Sequence, residues 1–199
     1  MNRVELKTKA KEDLKGKWGV VILAFIILEV ATGSATLSWV EPIFGSLGII
    51  TIFLIPIQVG YARMHYNIAL GNQENIGDLL VAFNEISYVR ALLGGLLMFL
   101  YIIGWMLLLV IPGIIKAIAY SQTFFILQDP DFEHLSGNEA IAQSQEMMKG
   151  HKMEFFILGL SFIGWYILVG ITFGILLFYV APYVQQTMAG FYLKLKADE

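Results

Sequence analysis

The sequence predicts an all-α polytopic membrane protein with six transmembrane helices, built as three repeated helix hairpins with cytoplasmic amphipathic helices. Of its 199 residues, 57% are hydrophobic and only 15% are charged, and the mean hydropathy is +0.69. A soluble domain of this size cannot bury so much apolar sequence, so much of it must face lipid. Threading the chain six times through a bilayer leaves all but one of its 13 Lys and Arg residues on one side. We therefore expect one plasma-membrane domain, residues 1–199, with both termini in the cytoplasm.

The first unit begins with a charged segment, residues 1–17, whose apolar positions recur at helical spacing: Leu6, Ala10 and Leu14. This pattern predicts an amphipathic helix on the inner membrane surface. A first span over 18–40 and a return over 43–62 flank a turn at Glu41-Pro42. A cleaved signal peptide is the rival interpretation, because 31–35 is rich in small residues, but the long charged lead and the later spans disfavour it.

The second unit has the same plan. Residues 71–90 are polar, with Asn75 placed to cap a helix and Asp78 in its first turn. The predicted apolar stripe consists of Ile76, Leu79, Leu80, Phe83 and Ile86. An outward span over 91–111 turns at Pro112-Gly113 and returns over 114–128.

The third unit begins after Asp129-Pro130-Asp131 with an amphipathic segment, 136–150. Ser136 and Glu139 have the spacing of a capping box, and the apolar positions that follow are Ile141, Met147 and Met148. The last pair of spans starts near Met153, turns at 172–174 and ends at Lys194.

Repeat units of approximately 1–70, 71–130 and 131–199 follow from this plan. Ile-Gly-Trp occurs at both 103–105 and 163–165, and each inward leg carries a proline. Pro112 fits the first turn of a helix, whereas Pro56 and Pro182 are expected inside spans, where they kink the helix. Because all units start on one side, the repeats are parallel. They could enclose a central cavity or pack solidly.

Polar side chains inside apolar spans are candidates for an intramembrane site. Glu29 is expected near the bilayer centre, where a carboxylate either marks a pathway or is a protonated structural group. Lys116 is the basic residue left on the outer side, where it reaches the interface or meets Glu41, or Glu29 if the spans are neighbours. Amides on the inward legs either satisfy backbone groups or line a pore: Gln58, Gln122, Gln185 and Gln186.

Lys149, His151 and Lys152 form a compact basic patch at the inner interface. Such a patch attracts anionic lipid headgroups at ~1 kcal/mol per charge, although anchoring by the positive-inside rule produces the same pattern. The net charge of −3 argues against nucleic acid as a partner. Without Cys or spaced His ligands, and without a catalytic motif, we expect no metal, no cofactor and no enzyme activity.

Several stretches resemble an uncharacterised bacterial membrane-protein family, the domain of unknown function number 975. The resemblance rests on Ile111–Ile115, Asp129–Pro130, Asn138–Ile141, Ser144, Met147–Lys152, Leu160–Trp165 and Ala181–Tyr183. It implies a six-helix integral membrane protein, and it brings no established substrate or site residue.

Three functions follow as expectations, and the least favoured is a membrane-embedded lipid enzyme whose turnover depends on His151 or Glu29. The first is a non-enzymatic accessory, scaffold or envelope-protection component that acts through the bilayer, anionic headgroups or a membrane-protein partner. The alternative is a transporter or channel for a small solute or lipid, with a polar path near Glu29.

Overall fold

A computed structural model describes residues 2–32, 52–84 and 88–198, and in these ranges all regular structure is helical. The prediction of an all-α protein is confirmed. In chain order the elements are α1 (Arg3–Asp13), α2 (Trp18–Thr32), α3 (Pro56–Ala69), a 3₁₀ helix (Ile76–Leu80), α4 (Val81–Asn84), α5 (Tyr88–Leu108), α6 (Val110–Tyr120), α7 (Thr123–Gln128), a second 3₁₀ helix (Pro130–Phe132), α8 (Gly137–Met147), α9 (Lys152–Leu160), α10 (Ile163–Ile171) and α11 (Leu177–Ala197).

Three helical stretches are long and apolar enough to cross a membrane: Tyr88–Leu108, Val110–Gln128 and Lys152–Ile171. The apolar helix Trp18–Ala31 is shorter. These lengths support membrane association, but in the described ranges they do not support six spans or a threefold hairpin repeat. The described part of the predicted second span, 52–62, reaches into α3, and the predicted sixth span falls on α11. Neither helix is among those apolar enough to cross, and both bury much of their surface in the bundle. The expected turn at Glu41-Pro42 lies outside the described residues.

Helix α1 packs against protein along its predicted apolar stripe. Leu6, Ala10 and Leu14 are all buried, which confirms the stripe. The Lys7 ammonium donates to the carbonyl oxygen of Ser161 (2.9 Å) and to its hydroxyl oxygen (3.2 Å). The Tyr183 hydroxyl donates to the carbonyl of Lys7 (3.3 Å). These bonds hold α1 against other helices of the protein: Ser161 lies at the turn between α9 and α10, and Tyr183 lies on α11.

Helices α5 and α6 form a tight hairpin whose turn is at Leu109. Leu109 has extended backbone angles (φ −158°, ψ 132°), so the reversal comes just before the expected Pro112-Gly113 turn. A Cβ on Gly113 would lie 2.7 Å from Met106 Sδ and 2.9 Å from Met106 Cα. Only glycine therefore allows the two helices to approach this closely.

The three prolines of the predicted inward legs take different positions in their helices. Pro56 is the first residue of α3, directly after helical residues 52–53 and a turn at 54–55, so the helical path breaks at this proline. That a span contains the break stays a prediction, because residues 43–51 lie outside the described ranges. The missing N–H of Pro56 costs nothing at a helix start, and its fixed φ favours that position. Pro112 lies in the first turn of α6, and Pro182 lies inside α11, as expected.

The capping box of α8 is confirmed. The Ser136 N–H donates to Glu139 Oε2 (2.7 Å), and the Glu139 N–H donates to Ser136 Oγ (3.4 Å). Ile141, Met147 and Met148 are buried, as the pattern predicts.

The stripe predicted for 71–90 is only partly formed. Asn75 accepts a hydrogen bond from the Gly77 N–H, as expected, but it caps a five-residue 3₁₀ helix. Leu79 is buried, whereas Ile76, Leu80 and Phe83 are exposed, and Ile86 lies outside the described residues. The segment changes from 3₁₀ to α geometry, so positions spaced for one continuous α-helix do not share a face.

Candidate functional site

Glu29 lies in the wall of an apolar cavity of about 530 Å³ between α2 and the turn that joins α10 to α11. Phe25, Val30, Phe173 and Phe178 contribute to the same wall. Among the described residues that line it, Glu29 is the one charged group, and none of the four candidate glutamines is present. The structure therefore does not gather the predicted intramembrane polar residues into one cavity.

Lys116 lies against α8. Its ammonium donates to Gln145 Oε1 (3.0 Å) and lies 5.1 Å from the centroid of the Trp105 ring. The sequence predicted α8 on the inner side of the membrane and Lys116 at the outer interface. Their contact places them much closer in membrane depth than that prediction. The alternative partner Glu41 is outside the described residues.

Gln122, Gln58 and Gln185 are separated in the bundle. Gln122 is fully buried at the α6–α7 turn, where its amide nitrogen donates to Ser121 Oγ (2.8 Å). The backbone N–H of Gln122 donates to Ser144 Oγ (3.2 Å), and that hydroxyl donates to the Ala119 carbonyl (2.8 Å). These bonds attach α8 to the hairpin. Gln58 and Gln185 are half-buried on α3 and α11.

Gln186 belongs to a buried polar cluster with His65. The amide orientation that satisfies its neighbours has nitrogen towards His65, donating to Nδ1 (2.8 Å) and to the carbonyl oxygen (3.3 Å). Its oxygen then accepts from the Ala69 N–H (3.2 Å). Burial lowers the pKa of His65 to about 4, so the ring is neutral and carries its proton on Nε2. That Nε2 atom and the buried Tyr61 hydroxyl, in a ring pair 4.7 Å apart, have no hydrogen-bond partner.

Asp13 and Glu29 lie at the two ends of this cluster. Asp13 Oδ2 is 3.4 Å from the other end of the Gln186 amide, which in this orientation is the oxygen, so an ionised Asp13 makes no hydrogen bond to it. Burial raises the pKa of Asp13 above its ordinary value. On the other side, Glu29 is close enough for its charge to act on the Tyr61 phenol. Sequence reasoning missed Tyr61, His65 and Asp13. The signal was the spacing of Tyr61 and His65, four residues apart on one face of a helix.

The predicted headgroup patch is largely neutralised. Lys149 pairs with Glu146 (2.6 Å), and His151 Nδ1 lies 3.3 Å from Glu154 Oε2. Both are helical pairs three residues apart at the surface, and the one with Glu146 weakens the field of Lys149. Lys152 stands instead at the edge of an apolar groove between α6 and α9.

A second basic site, which sequence reasoning missed, lies where α3, α5 and α7 meet. It is a pocket of about 140 Å³, here called the Arg63–Arg90 pocket, with Arg63, Leu127, Pro130 and Glu133 among its lining residues. Arg63 Nη1 donates to the Gln128 carbonyl (2.9 Å), and Arg90 Nη2 donates to the Phe132 carbonyl (2.5 Å). These bonds hold both guanidinium groups at the pocket. Arg63 and Arg90 are 27 positions apart in the sequence, where they indicated only which side of the membrane the span ends face.

Asp129 also borders the pocket, but its charge is already compensated. It accepts from the Tyr192 hydroxyl (2.7 Å), the Lys196 ammonium (2.6 Å) and the Asp131 N–H (3.1 Å). Burial acts to lower the pKa of Lys196, but its bonds to Asp129 and Asp131 outweigh burial and raise that pKa above its ordinary value. The single charge of Lys196 that compensates Asp129 is shared with Asp131, so Asp131 and Glu133 together offset the two arginines in formal charge. The pocket therefore offers guanidinium donors without a net positive charge.

Polar atoms in the pocket wall lack partners. Gln128 is 2% exposed, and neither atom of its side-chain amide has a hydrogen bond. Arg90 Nε is also buried without a partner. A buried polar group left unsatisfied costs ~1–3 kcal/mol, so these atoms point to a polar ligand at this place.

Taken together, the helices and apolar surface define an all-helical, membrane-associated protein with one arginine-lined pocket and one buried polar cluster. The chain belongs to the family described as "Protein of unknown function (DUF975)", whose sequence model matches residues 79–199. No curated protein and no solved structure shows a significant match to it.

Proposed function

We propose that this protein is a non-enzymatic component of the plasma membrane that works through lipid partners, with both termini on the cytoplasmic side. The observation that carries the proposal is the Arg63–Arg90 pocket, which has the chemistry of a site for the phosphate of an anionic headgroup. An accessory or scaffold role follows from this, because the protein would recognise a lipid without converting it.

The pocket fits a phosphate by its hydrogen-bond donors and by its position. Each guanidinium has five N–H donors and spends one on a backbone carbonyl, which leaves donors for phosphate oxygens. Its volume of about 140 Å³ suits one small oxyanion. Arg90 lies at the start of the candidate span Tyr88–Leu108, at the depth where headgroups lie. A lipid phosphate is therefore favoured over a soluble anion.

Native mass spectrometry of the purified protein, with phosphatidylglycerol and phosphatidylcholine offered in equal amounts, tests this site. We expect the wild type to retain phosphatidylglycerol preferentially. Gln128→Leu removes the unpartnered amide while leaving the carbonyl that Arg63 contacts, and it should weaken retention about 10-fold. Arg63→Gln with Arg90→Gln should abolish the preference.

Lys149→Gln is the matched control, because it removes an exposed cation that already has a carboxylate partner. It should leave lipid retention unchanged. Equal retention of the two lipids by the wild type would overturn the proposal, as would a control variant that lost as much binding as Gln128→Leu.

A second candidate function, proton-linked transport along a polar path near Glu29, is favoured by the buried cluster. Tyr61, His65 and Gln186 pack against one another, Asp13 lies 3.4 Å from the Gln186 amide, and two polar atoms of the cluster have no partner. Proteoliposomes with an internal pH dye test it. The candidate predicts that the wild type dissipates a pH gradient and that Glu29→Gln does not. Wild-type vesicles that hold the gradient as well as empty vesicles would exclude it.

A further inference from the structure

Two hairpin turns end in exposed apolar side chains. The α5–α6 tip, residues 107–111, consists of three leucines, a valine and an isoleucine that are 64–82% exposed. The α10–α11 tip, residues 171–175, exposes Phe173 by 95% and Ile175 by 75%. In the predicted threading both tips face water on the outer side. A turn in water is normally polar, whereas these two have the composition of the membrane interior.

The polar helix α8 reaches close to the α5–α6 tip. Lys116 donates to Gln145 of α8 and is six residues beyond Val110, at the tip. At ~1.5 Å per helical residue the backbone of Lys116 is within about 9 Å of the tip, and the reach of its side chain, about 6 Å, brings the greatest depth between that contact and the tip to about 15 Å, whatever the tilt of the hairpin. Helix α8 exposes Glu139, Glu146 and further polar side chains, so it must lie in water or among headgroups.

Helix α1 lies near the α10–α11 tip. The Lys11 ammonium lies 5.6 Å from the Trp165 ring centroid, and Trp165 precedes Phe173 by eight residues. Even with the turn fully extended, the chain from Trp165 to Phe173 spans about 12–16 Å, and the separation of Lys11 from Trp165 brings the distance from that ammonium to the tip to roughly 22 Å at most. On the return leg, Tyr179 stacks on Trp18 (ring centroids 4.3 Å apart), next to the charged end of α1. Helix α1 exposes Lys9 and Glu12 on its free face.

These distances are too short for a crossing. The hydrocarbon core of a bilayer is ~30 Å thick, and a hairpin that crossed it would bring the charged faces of α1 and α8 into the hydrocarbon. We infer that the α5–α6 and α10–α11 hairpins enter the membrane from one side and end inside it, so that their tips contact the acyl chains of lipids near the midplane. The partner of this apolar surface is a single leaflet, and the polar helices lie at its headgroups.

The intramembrane tips do not depend on the phosphate site, because they are inferred from tip exposure, helix lengths and the contacts of Lys116 with Gln145 and of Lys11 with Trp165. They do conflict with the transport candidate, since hairpins that end in the bilayer provide no path across it. The turn of the first hairpin falls in residues 33–51, outside the described ranges, and the inference does not extend to it.

Single-cysteine labelling tests the inference, and the chain suits it because it contains no native cysteine. Val110→Cys and Phe173→Cys report on the tips, and Glu146→Cys on α8 is the matched control. Each variant is treated with a membrane-impermeant maleimide in spheroplasts and in inside-out vesicles. We expect the control to react only in inside-out vesicles, and the tip variants to react in neither until detergent is added. Reaction of either tip variant in spheroplasts at the rate of an external residue would overturn the inference.

Depth is measured separately in reconstituted vesicles. A bimane label on each tip cysteine is quenched by lipids brominated at defined acyl positions. The inference requires stronger quenching from bromines near the chain ends than from bromines near the headgroup, at least twofold for both tips. Equal or reversed quenching would refute it. Size-exclusion elution matching the wild type establishes that each variant is folded.

Discussion

The pairing of Lys196 with Asp129 supports a quantitative prediction about stability. Asp129 is 1% exposed, and the Lys196 side chain is 23% exposed. Lys196→Met removes the ammonium but keeps most of the alkyl volume, and it leaves a buried carboxylate with only the Tyr192 hydroxyl and the Asp131 N–H. Breaking a fully buried pair costs ~3–5 kcal/mol. Because the lysine is partly solvated and two donors remain, we expect a loss of about 2 kcal/mol in the free energy of unfolding.

Lys194→Met is the matched control on the same helix. Lys194 pairs with Glu5 at 3.3 Å, but the Glu5 side chain is 64% exposed, so the pair is a surface one. Surface pairs contribute ~0–1 kcal/mol. Equilibrium unfolding in detergent, followed by the fluorescence of the four tryptophans, measures both variants. Equal losses for the two variants would refute the reasoning.

The same pair predicts a pH dependence. The pKa of Lys196 is raised in the folded protein above its ordinary value of 10.5, so its stabilising contribution is fully present below about pH 10.5 and is lost as the pH rises through the folded pKa. The difference in unfolding free energy between the wild type and Lys196→Met should therefore be constant from pH 7 to 9 and shrink in strong alkali. A difference that disappears already at pH 8 would contradict this assignment.

Two further predictions concern a buried histidine and a buried glycine. Burial lowers the pKa of His65 to about 4 in the folded protein, whereas the unfolded ring titrates near 6.5. Acid therefore protonates the unfolded state first. The free energy of unfolding should fall between about pH 6.5 and 4, by up to about 3 kcal/mol. His65→Gln should flatten that decline in pH-dependent unfolding, and the exposed His134→Gln should not; an unchanged profile for His65→Gln would exclude His65 as the cause. Gly113→Ala should destabilise the α5–α6 hairpin by about 1–3 kcal/mol, because its Cβ would meet the Met106 backbone. Gly104→Ala, with open space at its Cβ, should be neutral or slightly stabilising in the same unfolding assay.

Local features were predictable from the sequence to the extent that they depend on neighbours in the chain. The capping box of Ser136 and Glu139, the Asn75 cap and the stripe on α1 all formed, because each needs only residues within two turns of a helix. The stripe after Asn75 failed where the backbone changed from 3₁₀ to α geometry. Pro56 begins α3 directly after another helical segment, and a hydropathy window does not show where that break falls.

The candidate sites were less predictable, because they depend on which helices become neighbours. Arg63 and Arg90 converge only through the packing of α3, α5 and α7, and Gln128 loses its partners only in that setting. Lys149 and His151 were recognised as basic, yet their acidic partners three residues away were not weighed against them. Glu29 was found, because one carboxylate in an apolar run is visible without any structure.

The sequence by itself determined that this protein is helical, that it associates with a membrane and that it belongs to the DUF975 family, since composition, periodicity and motifs are properties of the chain alone. Tertiary structure decided how the apolar helices are used. Hydropathy reports that a segment prefers lipid, but it does not report how close a polar helix packs beside that segment. The contacts of Lys116 with Gln145 and of Lys11 with Trp165 supply that distance, and on it rests the inference that two apolar hairpins end within the bilayer.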